Sequence, residues 1–349
     1  MPPRPKQHHY VTRAYLEGFL EPGCEQLICY ARRRQAPFSR TPKDLAIQRN
    51  YYSFRKPDGT WDDSLELEIQ KHVEDPGLAV LRLLANRKTR LKWQQRDQMS
   101  LLVAAQRFRV PHMRALMDSQ NQETIRAWLS EYRLRELETG ADPGEMIVGI
   151  ASGLNPNERR EMALTKADLE RLSREHEEDP QRSSREYFMS LAAKFARVFR
   201  FMKWTVYYTS AASRFVTSDC PAAMAFTRKD VGTLALVRPD CRILFPLSGT
   251  SLLLMEHDIA LITRLNTLGS TSTGRKLLNR LPEIRVATAS TEDVALFNEI
   301  QVEQASKWVF AGQQADWMIP KLQQPSKNIR QVVKTISRNL SFVSAVEGK

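Results

Sequence analysis

Residues 203–209 read KWTVYYT and residues 214–218 read RFVTS, and here the chain changes from helical to strand-like patterning. Apolar and polar residues alternate in these runs, and the β-branched and aromatic residues typical of half-buried strands are enriched. The two runs predict a hairpin around Ser210–Ser213. Because helical patterns dominate upstream and strand patterns follow, the sequence predicts an α+β fold rather than alternating βαβ units.

The pattern on either side extends this prediction. Residues 96–117 place apolar side chains at helical spacing, and Pro111 is expected to kink or break that helix. Other predicted elements are strands at 26–30, 50–54, 234–237, 242–245 and 251–255, and a helix at 292–310. The predicted fold is a helical N-terminal and middle region packed on a mostly antiparallel sheet, with a closing C-terminal helix.

One domain is expected over residues 6–312, followed by a basic, loosely attached tail at 320–349. Within it we expect a helical N-terminal part with a hairpin (6–130), an acidic helical insert (131–186), and the sheet with its closing helix (187–312). The insert carries 14 acidic and 9 basic residues, whereas the tail carries six basic residues and one acidic residue.

The net charge of +12 favours a polyanionic partner such as nucleic acid, because each neutralised phosphate releases counterions. A basic protein with solvated lysines and arginines is the alternative. No apolar stretch reaches the roughly 20 residues of a membrane span, and the first 20 residues lack the apolar core of a secretory signal. Four scattered cysteines form no C-x-x-C pair. We therefore expect a cytoplasmic location and no membrane partner.

Several catalytic signatures are missing from the sequence. It contains no G-x-x-x-x-G-K-[ST], G-x-G-x-x-G, G-x-S-x-G or H-E-x-x-H motif. P-loop nucleotide hydrolysis, Rossmann redox chemistry and the common zinc peptidase mechanism are therefore disfavoured.

The first candidate motif is QHHY at residues 7–10, which contains two of the six histidines of the chain. Neutral imidazole serves as a metal ligand and as a general base near neutral pH. Adjacent side chains in an extended segment point in opposite directions, so His8 and His9 are not expected to share one ion. The alternative is a hydrogen-bonded histidine that anchors the helix predicted to follow.

Polar residues also interrupt two apolar helix faces. Gln106 lies on the face of the helix at 96–117, with Arg109 at its edge and Arg114 beyond it, and Asn298 lies on the closing helix. A buried amide needs a partner, because an unpaired one costs on the order of 1–3 kcal/mol. These residues form either a ligand-binding surface or structural hydrogen bonds.

Carboxylates come from two further places. Asp219 ends a predicted strand in TSDCP (217–221), at a sheet rim of the kind where sites often lie. It could bind a metal or orient a histidine, and the alternative is an Asx turn that ends the strand. Glu74 flanks an apolar helix face, whereas Glu66 and Glu68 are expected to be solvated.

Taken in order, six motifs resemble the bacterial domain of unknown function 4238 family. They are His-His-Tyr-Val, Tyr-Leu-x-x-Phe, Asn-Tyr-Tyr-Ser, Gln-x-x-Arg-x-Pro, Phe-Val-Thr-Ser-Asp-x-Pro and Phe-Asn, and they cover residues 6–312. Members typically open with HHYVPxxYLxxF and carry a later TSDxP. Here Thr12 stands in place of the usual proline, and Cys220 stands where asparagine is common.

The resemblance implies a set of site positions and leaves the reaction open. Residue by residue, these positions are His8, His9, Tyr10, Tyr15, Phe19, Tyr52, Gln106, Arg109, Pro111, Asp219, Pro221 and Asn298.

The first functional hypothesis is a metal-dependent hydrolase that acts on nucleic acid. In it His8, His9 and Asp219 are catalytic, and a divalent metal ion is held by His9, Glu74 and Asp219. The substrate is positioned by Tyr10, Gln106, Arg109, Arg114 and Asn298. A divalent ion would lower the pKa of a bound water and stabilise charge developing on the phosphate.

Two other hypotheses remain open. In one, the same polar residues bind a nucleic acid or another anionic ligand without chemistry, with Arg109, Arg114 and the Arg32–Arg34 loop on phosphates. In the other, a structural or interaction protein, they only lock the N-terminal segment into the core. A histidine and Asp219 within roughly 4–6 Å of each other in an open cleft would favour the hydrolase.

Overall fold

The computed structural model describes residues 7–56, 59–152, 159–179, 182–209, 213–226, 240–258 and 283–324. Residues 210–212 of the predicted turn, the strand predicted at 234–237 and most of the tail at 320–349 lie outside these ranges. The chain divides into two compact units. One contains Met1–Val110 and Met189–Lys349, and the other is Pro111–Phe188.

Strands and helices are mixed in the order expected of an α+β fold. The strands are β1 (Gln7–His9), β2 (Leu27–Ala31), β3 (Phe38–Arg40), β4 (Ile47–Arg49), β5 (Phe54–Arg55), β6 (Trp61–Asp62), β7 (Glu145–Ser152), β8 (Arg159–Thr165), β9 (Lys203–Tyr208), β10 (Thr217–Ser218), β11 (Ala223–Phe226), β12 (Cys241–Ser248), β13 (Ser251–Glu256), β14 (Ile284–Thr288) and β15 (Trp308–Ala311). The helices are α1 (Arg13–Leu16), α2 (Ser64–Ile69), α3 (Asp75–Ala85), α4 (Trp93–Phe108), α5 (Pro111–Thr139), α6 (Lys166–Glu178), α7 (Arg182–Phe199), α8 (Thr291–Gln304) and α9 (Met318–Gln323).

The larger sheets lie in the first unit. One has five strands in the order β11-β12-β13-β9-β14, and another has four in the order β10-β15-β2-β3. Strand β14 runs parallel to β9, and the other described pairs are antiparallel. The α+β class with a mostly antiparallel sheet is therefore confirmed.

The predicted hairpin between KWTVYYT and RFVTS is wrong, although the first run is a strand. Burial alternates along β9, and its neighbours are β13 and β14. The second run contributes β10, which pairs with β15 in the four-stranded sheet. Alternation identifies a strand by its two faces, but it carries no information about which strand will pair with it.

Three other elements differ from their predictions. The closing helix ends at Gln304, because residues 308–311 form β15 against β10 and β2. Asn50 lies in the left-handed region at φ 52°, which asparagine tolerates, so residues 50–53 form a turn rather than a strand. The helix at 96–117 is split into α4 and α5, with Pro111 as the first residue of α5.

The second unit differs in extent and content from the helical insert expected at 131–186. It begins at Pro111 and contains the hairpin of β7 and β8 between α5 and α6. Tyr132 and Leu169 form its described buried cluster. Within the part of the chain that the structure describes, no helix is long and apolar enough to cross a membrane.

Candidate functional site

The two adjacent histidines diverge, as the sequence predicts for an extended segment. His8 is fully buried in β1, whereas His9 is half-buried. Nδ1 of His8 accepts the backbone N–H of Tyr52 at 3.0 Å, and Nε2 lies 3.1 Å from a carboxylate oxygen of Glu66. Because Nδ1 is an acceptor, the proton of the neutral ring lies on Nε2 and is donated to Glu66. Both ring nitrogens therefore serve the fold, which favours the anchoring role for His8.

His9 keeps one nitrogen for another partner. Its Nε2–H donates to the backbone carbonyl of Lys43 at 3.2 Å, which leaves a lone pair on Nδ1 of the neutral ring. Burial lowers the pKa of His9 below its ordinary value, so the ring is neutral at pH 7. A neutral imidazole with a bare Nδ1 can accept a hydrogen bond or ligate a cation.

A buried network joins the start of α1 to the helices behind it. The hydroxyl of Thr12 donates to Glu74 Oε1 at 3.0 Å and accepts from Gln106 at 3.1 Å and from Arg109 at 2.6 Å. A second nitrogen of Arg109 donates to the same oxygen of Glu74. Arg109 is fully buried and forms an ion pair with Glu74. Gln106, Arg109 and Glu74 are thus brought together around the Thr12 hydroxyl.

Glu74 lies in a π-helical turn, where the regular α-helical hydrogen-bond pattern is interrupted. Helix α2 passes into a π-helical turn at Gln70–Glu74 before α3 begins at Asp75. Pro76 has no N–H for the carbonyl four residues before it, so the regular ladder is interrupted there. The wider turn holds Glu74 beside Arg109 and Thr12. Such π-turns are frequent at functional sites.

These groups surround a pocket of about 400 Å³, here called the Glu74 pocket. It is lined by His9, Thr12, Arg13, Ala14, Glu17, Tyr52, Glu66, Ile69, Gln70, Glu74, Asp75 and Leu78. Four carboxylates and one arginine make the lining acidic, in contrast to the chain as a whole. Glu17 is paired with Arg13 at 2.8 Å. Glu66 pairs with the buried His8, and Glu74 pairs with the buried Arg109.

Residues 7–315 match the family described as "Protein of unknown function (DUF4238)". The chain belongs to the DUF4238 family. The resemblance identified from the motifs is thereby confirmed. Comparison with curated proteins and comparison with solved structures each gave no match.

In this DUF4238 member, Asp219 lies apart from the Glu74 pocket. Its two carboxylate oxygens accept the backbone N–H groups of Ser306 at 2.8 Å and Lys307 at 2.7 Å, and its own N–H donates to Trp308. Burial raises the pKa of Asp219 to about 6, against the lowering effect of these donors. The side chain fastens the loop between α8 and β15.

The metal triad predicted from His9, Glu74 and Asp219 is therefore not assembled. Within the described ranges, no three His, Cys, Asp or Glu side chains are grouped to hold a metal ion. His9 and Glu74 do share the pocket, but Asp219 is absent from its lining. The prediction failed because Asp219 was placed by strand position alone, and its backbone partners lie 87 and 88 residues away.

Asn298 is structural in this DUF4238 member, and it is one of three amides that act together. Its side chain accepts from Val216 N–H at 2.9 Å and donates to the carbonyl of Arg214 at 2.8 Å. Gln301 donates to the carbonyl of Pro221 at 2.9 Å, and Gln304 accepts the N–H of Met224 at 2.9 Å. The spacing N-x-x-Q-x-x-Q on one helix face was the sequence signal for this row.

The side chains of Tyr10, Arg114 and Arg32 were predicted to contact a substrate or phosphate. In the structure they are buried or hydrogen-bonded within the protein. Tyr10 is buried, with its ring 5.9 Å from that of Tyr51. Arg114 is buried and belongs to the second compact unit. Arg32 is not on a free loop, because its guanidinium donates to the carbonyls of Val302, Glu303 and Ala305 at the end of α8.

Glu66, Thr12 and Tyr52 are among the pocket residues that the functional hypotheses omitted. Glu66 was expected to be solvated, yet it pairs with His8, and Thr12 is the centre of the network. Glu66 and Glu74 are eight residues apart, which in a regular helix brings two side chains near one face, but the π-helical turn at Gln70–Glu74 lies between them. Spacing alone therefore does not predict that the two carboxylates share a pocket.

The histidines provide a direct test of this assignment. We expect His8→Ala to lower the free energy of unfolding by about 2–4 kcal/mol, because a buried ring with two hydrogen bonds is lost. His9→Ala is expected to cost less than about 1 kcal/mol, because one half-exposed hydrogen bond is lost. Urea unfolding of the two variants measures both, and equal losses would contradict the division of roles.

Proposed function

We propose that the Glu74 pocket binds a small organic cation, such as a primary amine or a guanidine. The observation that supports this proposal is the composition of the lining. Carboxylates of Glu66 and Glu74 stand with Tyr52 and with the apolar side chains of Ile69 and Leu78. An alkylammonium ion needs this combination, namely a negative charge, an aromatic face and an apolar wall for the carbon chain.

Glu74 is the principal charged contact in this proposal. Its Oε1 is occupied by Thr12 and Arg109, and no partner of Oε2 occurs among the described residues. The side chain is 17% exposed, so the free oxygen is open to the pocket. A carboxylate fixed through one oxygen presents the other without further loss of side-chain entropy, which favours binding of a donor.

His9 and Glu66 complete the site. The neutral His9 ring offers a second acceptor at Nδ1, and it adds no charge that would repel a cation. Glu66 carries negative charge beside the stacked rings of His8 and Tyr52, whose planes are 5° apart. A volume of about 400 Å³ lies within the range of small-ligand sites.

Isothermal titration calorimetry of the full chain tests the proposal with agmatine, putrescine and n-butylamine. We expect binding of at least one amine, and a loss of at least about tenfold in affinity for Glu74→Gln, since removal of one charged contact is worth about 1.4 kcal/mol or more. Glutarate, an anion of similar size, is expected not to bind.

Glu68→Gln is the matched control, because Glu68 lies on α2, is exposed and pairs with His72 outside the pocket. Glu66→Gln provides a second pocket variant in case Glu74→Gln loses its fold, which circular dichroism would show. Absence of binding by all three amines, or equal affinity in the Glu68 and Glu74 variants, would contradict the proposal.

A metal-dependent hydrolase acting on nucleic acid is the second candidate, with Glu66 and Glu74 in place of Asp219. The observation in its favour is a pair of carboxylates beside His9, because Mg²⁺ requires only one or two protein carboxylates when water and phosphate supply the rest. This candidate includes the nucleic-acid partner and the cytoplasmic location expected from the sequence. Mg²⁺-dependent cleavage of a labelled oligonucleotide that is lost in Glu74→Gln, without amine binding, would select it.

A further inference from the structure

A second concave surface lies on the first compact unit, between the loop that joins α3 to α4 and strand β14. We call it the basic groove. Its volume is about 770 Å³, and it is lined by Thr89, Arg90, Leu91, Arg96, Glu283, Ile284, Arg285 and Val286. None of these residues lines the Glu74 pocket, so the two surfaces have separate chemistry.

The loop beside the groove has an unusual charge density. Residues 86–92 read NRKTRLK, with four cations and no carboxylate in seven residues. Arg87, Lys88, Arg90 and Lys92 are all exposed. Within the described ranges no carboxylate lies in ion-pair contact with any of these four, and Arg87 instead lies over the ring of Tyr208 at 4.3 Å. Their charge is therefore available to an external anion.

Hydrogen bonds cap both ends of this loop. Arg87 adopts φ 62°, and the N–H of Lys88 donates to Leu83 at 2.9 Å, which together form a Schellman cap on α3. At the other end, the N–H of Lys92 donates to the side chain of Gln95 at 2.8 Å and starts α4. Because both ends are capped, the cations are presented with little ordering cost on binding.

The opposite wall and the floor of the groove add further positive charge. Arg285 is exposed on β14, which is the edge strand of the five-stranded sheet. Arg96 is 1% exposed and donates to the carbonyls of Arg200 and Met202, both at 2.7 Å. Its guanidinium also lies 4.1 Å from the centroid of the Trp204 ring. Glu283 is the one carboxylate in the described lining.

We propose that the basic groove binds the phosphate backbone of a single-stranded nucleic acid. A concave, positively charged channel follows a flexible phosphate chain, whereas a lipid surface is met by flat or protruding faces. Guanidinium forks of Arg90 and Arg285 match phosphate oxygens in two-point contacts. This inference goes beyond the amine proposal and does not depend on it.

Fluorescence anisotropy with a labelled 20-nucleotide oligo(dT) tests the inference. We expect Arg90→Glu/Arg285→Glu to weaken binding by at least about tenfold, and to reduce the slope of log affinity against log salt by about 1.4, because each phosphate contact to a single strand contributes about 0.7. Both residues are exposed, so the fold should be retained, and circular dichroism verifies this.

The matched control is Arg126→Glu/Arg133→Glu, which makes the same change in net charge on exposed positions of α5. It should stay within about twofold of the parent chain. Equal weakening in both double variants, or no binding of oligo(dT) by the parent chain at low salt, would overturn the inference. So would tighter, groove-dependent binding to polyglutamate or to phosphatidylserine vesicles. The Arg90→Glu/Arg285→Glu chain should bind the three amines as the parent chain does, because neither residue lines the Glu74 pocket, and this separates the result from the amine proposal.

Discussion

Replacing Asp219 by alanine is expected to lower the free energy of unfolding by about 3 kcal/mol at pH 5. The change leaves the backbone N–H groups of Ser306 and Lys307 without acceptors in a buried loop. Each orphaned donor costs about 1–3 kcal/mol. Urea unfolding followed by circular dichroism measures the loss, and Asp219→Asn, which keeps one acceptor oxygen, should show a smaller one.

The loss should also depend on pH in a defined direction. Burial raises the folded pKa of Asp219 to about 6, above its ordinary value of 3.8, so the folded state binds the proton more tightly than the unfolded state. The resulting stabilisation is complete below pH 3.8 and disappears as the pH rises through 6. The stability advantage of the parent chain over Asp219→Ala should therefore shrink by about 2 kcal/mol between pH 4 and pH 7. An Asp219→Ala variant that unfolds like the parent chain but lacks ligand binding would instead restore a functional role.

Replacing Arg109 by methionine is expected to have the second large effect, a loss of about 3 kcal/mol in stability together with loss of amine binding. Methionine fills a similar volume, but Glu74 then loses its buried counter-charge and Thr12 loses one donor. Glu74 is 17% exposed, so water solvates part of the unpaired carboxylate. The expected stability loss therefore lies at the low end for a broken buried ion pair.

A double-mutant cycle separates the ion pair from simple packing. The Arg109→Met/Glu74→Gln chain removes both charges, so it should recover at least about 1 kcal/mol relative to the sum of the single variants. Arg109→Lys keeps the charge but lacks the two guanidinium nitrogens that contact Glu74 and Thr12, so its stability should lie between those of the parent chain and Arg109→Met. Strict additivity of the single losses would show that the pair has no coupling and that Arg109 acts only by packing.

The sequence was most informative where a local rule determines the outcome. Alternation along 203–208 identified a strand, Pro111 marked the start of a helix, and the divergence of His8 and His9 followed from extended geometry. Gln106 was correctly singled out as a buried amide in need of a partner, whereas Arg109, expected at the edge of that helix face, is fully buried.

It was least informative about partners far away in the chain. Asp219 was read as a site residue because a strand end is exposed in general, whereas here the loop after α8 covers it. Nothing near Asn298 indicates that its amide pairs with residues 214 and 216. The excess of positive charge in the loop at 86–92 is not visible when charge is summed over long segments of the sequence.

The row of amides on α8 has a consequence for the behaviour of the chain at high concentration. Strand β11 lies at the end of the five-stranded sheet, where unpaired backbone groups invite a strand from another molecule. Gln304 accepts from the N–H of Met224 and donates to its carbonyl, so it satisfies both backbone groups of this buried residue as a neighbouring strand would. One side chain of α8 thereby takes a backbone position at which a strand of another molecule would otherwise pair.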